Sequence, residues 1–176
     1  ELDRAVALKL LQPDTANDET ARKRMVREAR ALARLSDPNV VQVYDVGTRG
    51  EEVFVAMEFI DGQDLAAWLK GEARAWDDTL EVFLEAAKGR SAAHDEGLVH
   101  RDCKPANVLV GNDGRVVVVD FGLARPVDPM ALPLMEGATT HVGALVGTPM
   151  YMAPEQFEGG RADARSDQFA FCVALY

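Results

Sequence analysis

The sequence predicts an α+β fold in two parts, a mostly β first part followed by a mostly α second part. Three short apolar runs and one charged helix pattern lie before residue 61, whereas helical patterns dominate beyond it. The chain has 176 residues, of which 48% are hydrophobic, so it can bury one core but not comfortably two. We therefore expect one domain with a small lobe at 1–60 and a large lobe at 61–176.

The first part contains three strand-like runs. Residues 4–11 form an apolar run that only Lys9 interrupts. The runs at 40–46 and 52–59 are rich in Val, Phe and Tyr, and the glycines between them indicate a turn at 47–50. These three runs predict a small sheet.

A charged helix pattern separates the first strand from the second and runs from about residue 19 to 35. Helical spacing places Glu28 within its apolar stripe, which passes through Met25, Leu32 and Leu35. Because a buried carboxylate needs a cation, Glu28 should face one.

The second part begins with helices and continues with a hairpin. A short helix is predicted around residues 65–69, and a long Ala-rich helix from about 79 to 96. Two valine-rich runs, 108–110 and 116–119, flank the turn Gly-Asn-Asp-Gly at 111–114, which is a strong hairpin signal.

The charge balance excludes two classes of partner. The net charge is −10, and no long block of Lys and Arg stands out. A nucleic-acid interface needs such a positive footprint, and an anionic membrane surface would repel the chain. We therefore expect neither nucleic acid nor membrane lipid as a partner.

The cysteines and chain ends indicate the cellular setting. Cys103 and Cys172 are the only cysteines, so neither a disulfide framework nor a zinc site is expected. No apolar run reaches the ~20 residues of a membrane span, and the start resembles no signal peptide. The chain lacks an initiator Met and stops inside an apolar run, so we expect an excerpt of a longer chain. We expect this domain in the cytoplasm, and a membrane anchor elsewhere in the full-length protein stays open.

Two motifs in the second part carry chemistry. The octapeptide His-Arg-Asp-Cys-Lys-Pro-Ala-Asn occupies 100–107, and Asp-Phe-Gly follows at 120–122. Both resemble the catalytic loop and metal-binding motif of protein kinases. The chain is most similar to the eukaryotic-like serine/threonine kinases of bacteria. This resemblance implies a two-lobed kinase fold, incomplete at both ends and without the glycine-rich loop over the phosphates.

The resemblance assigns roles around the phosphates of ATP. Lys9, in Val-Ala-Leu-Lys, would approach the α and β phosphates while paired with Glu28. Asp102 would accept or orient the proton of the substrate hydroxyl, and Lys104 would lie near the γ-phosphate. Mg²⁺ or Mn²⁺ would be held by Asn107 and Asp120.

The resemblance also places the adenine ring. Met57 corresponds to the residue at the back of the adenine pocket, although it could equally be an ordinary core residue. The backbone from Glu58 to Ile60 would bond the adenine edge, and Ala7 and Leu109 would enclose the ring.

The tripeptides Gly-Thr-Pro and Ala-Pro-Glu resemble the end of a kinase activation segment. The resemblance implies that Thr148 contacts the catalytic loop and that Glu155 belongs to this segment. Because Thr139 and Thr140 are the hydroxyl residues between Asp120 and Thr148, we expect phosphorylation there, with Arg101 as the partner of the phosphate. The alternative is two solvated threonines without a role.

Five further residues have structural interpretations. Asp167 resembles the helix aspartate that bonds the catalytic-loop backbone, and His94 and His100 are expected to pack rather than to catalyse. Cys103 stands where the family usually has Leu and should pack as a small hydrophobe. Arg90 stands where the family usually has an apolar residue.

These assignments imply an enzyme that transfers the γ-phosphate of ATP to Ser or Thr hydroxyls of proteins, including its own activation segment through self-association. Two alternatives stay open. One is a pseudokinase that binds nucleotide or partners without catalysis, and the other is a phosphotransferase that acts on small molecules.

Overall fold

A computed structural model describes residues 4–11, 19–50, 52–121 and 149–176. Thr139, Thr140 and Thr148 lie outside these residues. The described residues contain two three-stranded sheets, one built from strands between residues 6 and 58 and one from strands between residues 62 and 118. One helix accompanies the first sheet, and the remaining helices follow in the second part of the chain.

The first sheet is antiparallel, with the order β1-β3-β2. Its strands are β1 (Val6–Leu11), β2 (Val43–Arg49) and β3 (Glu52–Glu58). The expected turn between these strands is present but shorter than 47–50, because β2 continues through Gly47 to Arg49 and the turn begins at Gly50. A Cβ on Gly47 would lie 2.4 Å from the ring of Phe54, its partner on β3. The absence of a side chain at Gly47 therefore lets the Phe54 ring pack over β2 at this position.

Helix α1 (Glu19–Leu32) packs against this sheet. Its buried stripe contains Met25, Ala29 and Leu32, and Glu28 lies half-buried on the same side. The helix ends three residues before the expected end. Leu35 is nevertheless buried, because the chain continues as a turn across the same core.

The second part combines a small sheet with helices. Its elements are β4 (Gly62–Asp64), α2 (Leu65–Gly71), α3 (Trp76–Asp95), β5 (Val108–Gly111), β6 (Val116–Val118), α4 (Pro154–Phe157) and α5 (Ala164–Leu175). The sheet is antiparallel with the order β4-β5-β6. The hairpin of β5 and β6 is confirmed, whereas the three-residue strand β4 was not expected.

Residues 39–41 connect the two parts. Val40 forms a parallel bridge with Val118 of β6. The Asn39 amide Nδ2 donates to the Val116 carbonyl at 2.9 Å and to the Glu85 carboxylate at 3.1 Å. A buried cluster continues across this junction, from Met25 on α1 to Phe121 after β6.

The helices in the described part of the chain are too short or too polar to cross a membrane.

Candidate active site

The catalytic loop, residues 100–107, is held by one carboxylate of α5. Asp167 is buried, and its two oxygens accept the backbone N–H groups of His100 at 2.7 Å and Arg101 at 2.8 Å. Burial alone would raise the pKa of Asp167, but hydrogen bonds from His94 and from these two N–H groups outweigh it and lower that pKa. The expected scaffolding role is confirmed.

His100 is buried and fixed by two hydrogen bonds. Nε2 lies 2.8 Å from the Val119 carbonyl, which can only accept, so Nε2 carries the proton. Nδ1 accepts the N–H of Asp102 at 3.3 Å. Burial lowers the pKa of His100 and outweighs the Val119 carbonyl, which raises it. The hydrogen bond that Nδ1 accepts also requires the neutral ring. His100 therefore shapes the loop without acting as a charged group.

Asp102 lies between a cation and an amide. Lys104 Nζ is 2.9 Å from its Oδ2. The amide Nδ2 of Asn107 donates to the Asp102 backbone carbonyl at 2.8 Å and to Oδ2 at 3.2 Å. The structure therefore brings three predicted catalytic residues together around one carboxylate.

Asn107 and Asp120 are brought close by the end of β6. The N–H of Val119 donates to the Asn107 carbonyl at 3.0 Å, and Asp120 is the next residue. Asp120 and Arg101 are the non-glycine residues with positive φ in the described ranges, at 59° and 67°. Such strained backbone conformations are uncommon and concentrate at functional sites.

Lys9 contacts Asp120 rather than Glu28. The Nζ of Lys9 lies 2.7 Å from Oδ1 of Asp120, and both side chains are partly exposed. This pair joins a predicted phosphate-binding cation of β1 to a predicted metal ligand.

Glu28 contacts Arg101, so the expected Lys9–Glu28 ion pair is wrong in this structure. Both oxygens of Glu28 lie 3.3 Å from Nη1 of Arg101. The spacing on α1 identified the face that carries Glu28 but not its cation. The two candidate cations were Lys9 and Arg101. Lys9 pairs with the Asp120 carboxylate, and Arg101 pairs with Glu28.

Four predicted adenine-site residues lie near one another. Ala7 of β1 faces Met57 of β3 in the strand register. Met57, Ile60 and Leu109 pack on one buried cluster, formed by Val41, Val117 and Val119. The backbone N–H and C=O of Ile60 have no hydrogen-bond partner in the described part of the chain, so both remain free to bond a ligand edge.

The N–H and the carboxylate of Glu58 already have hydrogen-bond partners within the protein, which the sequence did not indicate. Its N–H donates to the Gln42 carbonyl at 2.9 Å. Its carboxylate accepts both Nη1 and Nη2 of Arg115, a pair that raises the pKa of Arg115. The Arg115 guanidinium, which sequence reasoning missed, thus ties the β5–β6 hairpin to the end of β3.

The predicted end of the activation segment packs under the catalytic loop. The Gln156 amide Nε2 donates to the Arg101 carbonyl at 3.3 Å. Glu155 is half-buried and accepts the hydroxyl of Ser166 on α5 at 2.5 Å. Sequence reasoning missed Gln156 and Ser166, and no motif in the sequence marks them.

Arg90 is buried although it is charged. Its guanidinium donates to the side-chain oxygen of Gln168 at 3.0 Å and lies over the ring of Phe171, 4.0 Å from the centroid. Desolvation raises the pKa of the nearby Cys103 thiol well above its usual range. Cys103 therefore stays a neutral thiol, as its expected packing role requires.

The residues at the end of β6 fit a hard cation. The Asn107 amide donates through Nδ2, which leaves its Oδ1 available, and Asp120 supplies a carboxylate. Mg²⁺ prefers such oxygen ligands and usually takes its remaining ligands from phosphate and water. The described residues include no group of three or more His, Cys, Asp or Glu that could hold a metal by themselves, so a nucleotide would have to complete the site.

Comparison with known proteins agrees with this geometry. The family model for the protein kinase domain matches residues 1–176. The probable serine/threonine-protein kinase PknB of Lactococcus lactis is 38% identical over 99% of this chain and 27% of its own length. The serine/threonine-protein kinase PknL of Mycobacterium tuberculosis is 40% identical over 99% of this chain and 42% of its own. The chain thus spans less than half of either relative.

The fold matches a solved structure. The crystal structure of the Mycobacterium tuberculosis PknI kinase domain superposes with a TM-score of 0.72 and 30% identity, covering 97% of this chain and 61% of that one. Sequence match, fold and catalytic-loop geometry agree, and the chain belongs to the protein kinase family.

Proposed function

We propose that this chain is the catalytic part of a serine/threonine protein kinase, which transfers the γ-phosphate of ATP to Ser and Thr hydroxyls of proteins. The observation that carries this proposal is the Asp102 carboxylate, which contacts Lys104 at 2.9 Å and Asn107 at 3.2 Å. The relatives PknB and PknL bear the name serine/threonine-protein kinase, which supports the choice of acceptor.

Asp102 would position the attacking hydroxyl. Its carboxylate accepts a hydrogen bond from the substrate O–H and takes the proton as the new O–P bond forms and the bond to the ADP oxygen breaks. Asn107 holds the carboxylate in place, while Lys104 supplies positive charge beside the transferred phosphoryl group. Phosphoryl transfer passes through a loose transition state, so positioning and charge matter more than a strong base.

Lys9 and Asp120 would separate when nucleotide binds. Their side chains are about 40% exposed, so the pair contributes little stability and can open readily. Lys9 would then contact the α and β phosphates. Asp120 and Asn107 would hold Mg²⁺ or Mn²⁺, which neutralises charge on the phosphate oxygens.

The adenine ring would bind between the two parts of the chain. We assign residues 1–60 to a small lobe and 61–176 to the first part of a large lobe, with Ala7 above the ring and Leu109 below it. The backbone N–H and C=O of Ile60, which no group in the described ranges bonds, support this placement. We expect the reaction in the cytoplasm, where ATP is supplied, with Thr139 and Thr140 among the acceptors when two copies associate.

The test is phosphate transfer by the full-length protein that contains this chain. The protein is incubated with γ-labelled ATP and Mg²⁺ or Mn²⁺, with a generic protein acceptor in one reaction and hydroxyl-bearing metabolites in another. Acid hydrolysis of the labelled protein identifies the acceptor residue. Asp102→Asn is the test variant. Asp78→Asn, which makes the same change in the exposed first turn of α3, is the control.

We expect labelled phosphoserine and phosphothreonine, loss of the label in Asp102→Asn and full activity in Asp78→Asn. Nucleotide binding without transfer would instead indicate a pseudokinase. Label found only in the metabolites would indicate a small-molecule phosphotransferase. Either result overturns the proposal.

A further inference from the structure

A groove on the outer side of α1 carries a dense positive charge. It encloses about 500 Å³ between α1 and β2. One carboxylate and five cations line it, namely Glu19, Arg22, Lys23, Arg27, Arg30 and Arg34. The 176-residue chain has a net charge of −10, so the charge of this groove is opposite in sign to that of the chain.

Three of these cations have no ionic partner among the residues that the structure describes. Glu19 pairs with Arg22 and lies 3.5 Å from Lys23, which partly neutralises the first turn of α1. In the described ranges, no carboxylate pairs with Arg27, Arg30 or Arg34, and none of these three side chains makes a hydrogen bond. They are exposed, so their charge faces solvent.

The three cations follow one face of the chain. Arg27 and Arg30 lie on α1, and Arg34 follows in the turn that continues it. Spacings of three and four residues place such side chains on one side of a helical stretch, and seven residues of helix span about 10 Å. An extended peptide rises about 3.3 Å per residue, so a tract of four acidic residues covers the same length. The half-buried side chains of Val26 and Ala31 form an apolar floor for the stems of such residues.

We propose that this groove docks an acidic peptide segment of a partner protein. Charge complementarity argues for an anionic ligand, and the overall charge of the chain argues for a short one. A long nucleic acid would extend beyond the groove and meet the negative remainder of the surface, whereas a peptide tract stays within about one Debye length of the arginines. This inference does not rest on the proposed function, because it concerns binding and not transfer.

The probe is a fluorescein-labelled peptide with six consecutive Asp and Glu residues, and its Asn and Gln counterpart is the neutral probe. Fluorescence anisotropy measures binding to the full chain. The test variant carries Arg27→Gln, Arg30→Gln and Arg34→Gln, since Gln keeps a good helix propensity. The control variant carries Lys70→Gln, Lys88→Gln and Arg165→Gln, which remove the same charge from exposed sites elsewhere.

We expect saturable binding of the acidic peptide only, weakened at least tenfold in the test variant and less than twofold in the control. Raising the salt from 50 to 300 mM should weaken it as well. If the triple variant unfolds, the single variant Arg34→Glu replaces it, because Arg34 lies beyond the end of α1 and its substitution leaves the helix unchanged. It should weaken binding at least threefold.

Three results would overturn the proposal. Equal weakening in both triple variants would show that only net charge matters. Groove-dependent dimers in sedimentation without peptide would show that a second copy occupies the groove. Tighter binding of a twelve-nucleotide RNA than of the peptide would identify a nucleic-acid surface.

Discussion

Both carboxylate oxygens of Glu28 lie 3.3 Å from Nη1 of Arg101, which ties the middle of α1 to the catalytic loop. The sequence resemblance had paired Glu28 with Lys9. In the structure Lys9 contacts Asp120 instead. The ion pairs Glu28–Arg101 and Lys9–Asp120 therefore hold residues to which the proposed reaction assigns roles. Nucleotide and metal would have to compete with the Lys9–Asp120 pair.

The Glu28–Arg101 pair should be measurable as a coupling free energy. Glu28→Gln, Arg101→Gln and the double variant form a mutant cycle, with the free energy of unfolding in urea as the readout. We expect a coupling of about 1 kcal/mol, because both side chains are mostly shielded from solvent. The matched cycle of Glu28 with Lys9 should give no coupling without nucleotide. The reverse pattern would contradict the structure.

Asp167 should be among the most sensitive residues for stability. Asp167→Asn keeps the shape but turns an amide donor toward groups that themselves donate, so we expect a loss of about 2–4 kcal/mol at pH 7. Its pKa is lowered in the folded protein, so this stabilisation is complete above the unfolded pKa of about 3.9 and disappears on further acidification.

Urea unfolding at pH 7 measures this loss. Asp95→Asn at the exposed end of α3 is the control and should change stability by less than about 0.5 kcal/mol. Equal effects of the two substitutions would show that the hydrogen bonds of Asp167 contribute nothing.

His100 should make the protein less stable as the pH is lowered. The pKa of His100 is lowered in the folded protein. Below the unfolded pKa of about 6.5, the unfolded chain therefore binds a proton at His100 that the folded protein does not bind, and acid favours unfolding. We expect His100 to contribute a loss of up to about 1.4 kcal/mol for each pH unit below 6. His100→Gln retains an N–H for the Val119 carbonyl and removes the titration.

Urea midpoints at pH 7.5 and 5.5 test this slope. The difference between the two midpoints should shrink in His100→Gln. An unchanged difference would show that His100 is not the group responsible.

Two helical glycines should respond oppositely to alanine. A Cβ on Gly89 of α3 would lie 2.3 Å from the Asn39 carbonyl, so Gly89→Ala should destabilise the protein by about 1–3 kcal/mol. Gly71 of α2 has open space around it, and Gly71→Ala should stabilise by about 0.5–1 kcal/mol. Thermal unfolding compares them. A stable Gly89→Ala protein would show that α3 does not approach residue 39 so closely.

The regular elements were largely predictable from the sequence. Periodicity located α1, α2, α3 and three strands to within three residues. Each helix repeats its apolar residues over at least one turn, and each strand shows a run of apolar residues long enough to be recognised. The turn at 111–114 identified the hairpin. The strand β4 was missed because three residues carry too little pattern. Gly47 was mistaken for a turn residue, since its close contact with Phe54 is visible only in three dimensions.

The candidate site was predictable in its members but not in its contacts. The motifs identified Asp102, Asn107 and Asp120, yet spacing could not decide which cation Glu28 meets. Nor could it show that Arg90 is buried beside Phe171, because that contact joins residues far apart in the chain. Partner choice among nearby charges depends on the packed geometry, which local patterns do not contain.

The most direct test of the proposed kinase chemistry is a single-turnover measurement of γ-phosphate transfer by the full-length protein that contains this chain and by its Asp102→Asn variant, with nucleotide affinity measured in parallel. We expect the transfer rate to fall by at least about a hundredfold, with nucleotide affinity changed less than about threefold, because Asp102 would contact the hydroxyl and not the nucleotide. Equal transfer rates in the two proteins would contradict the role of Asp102, and nucleotide binding without transfer in the unsubstituted chain would contradict the kinase itself.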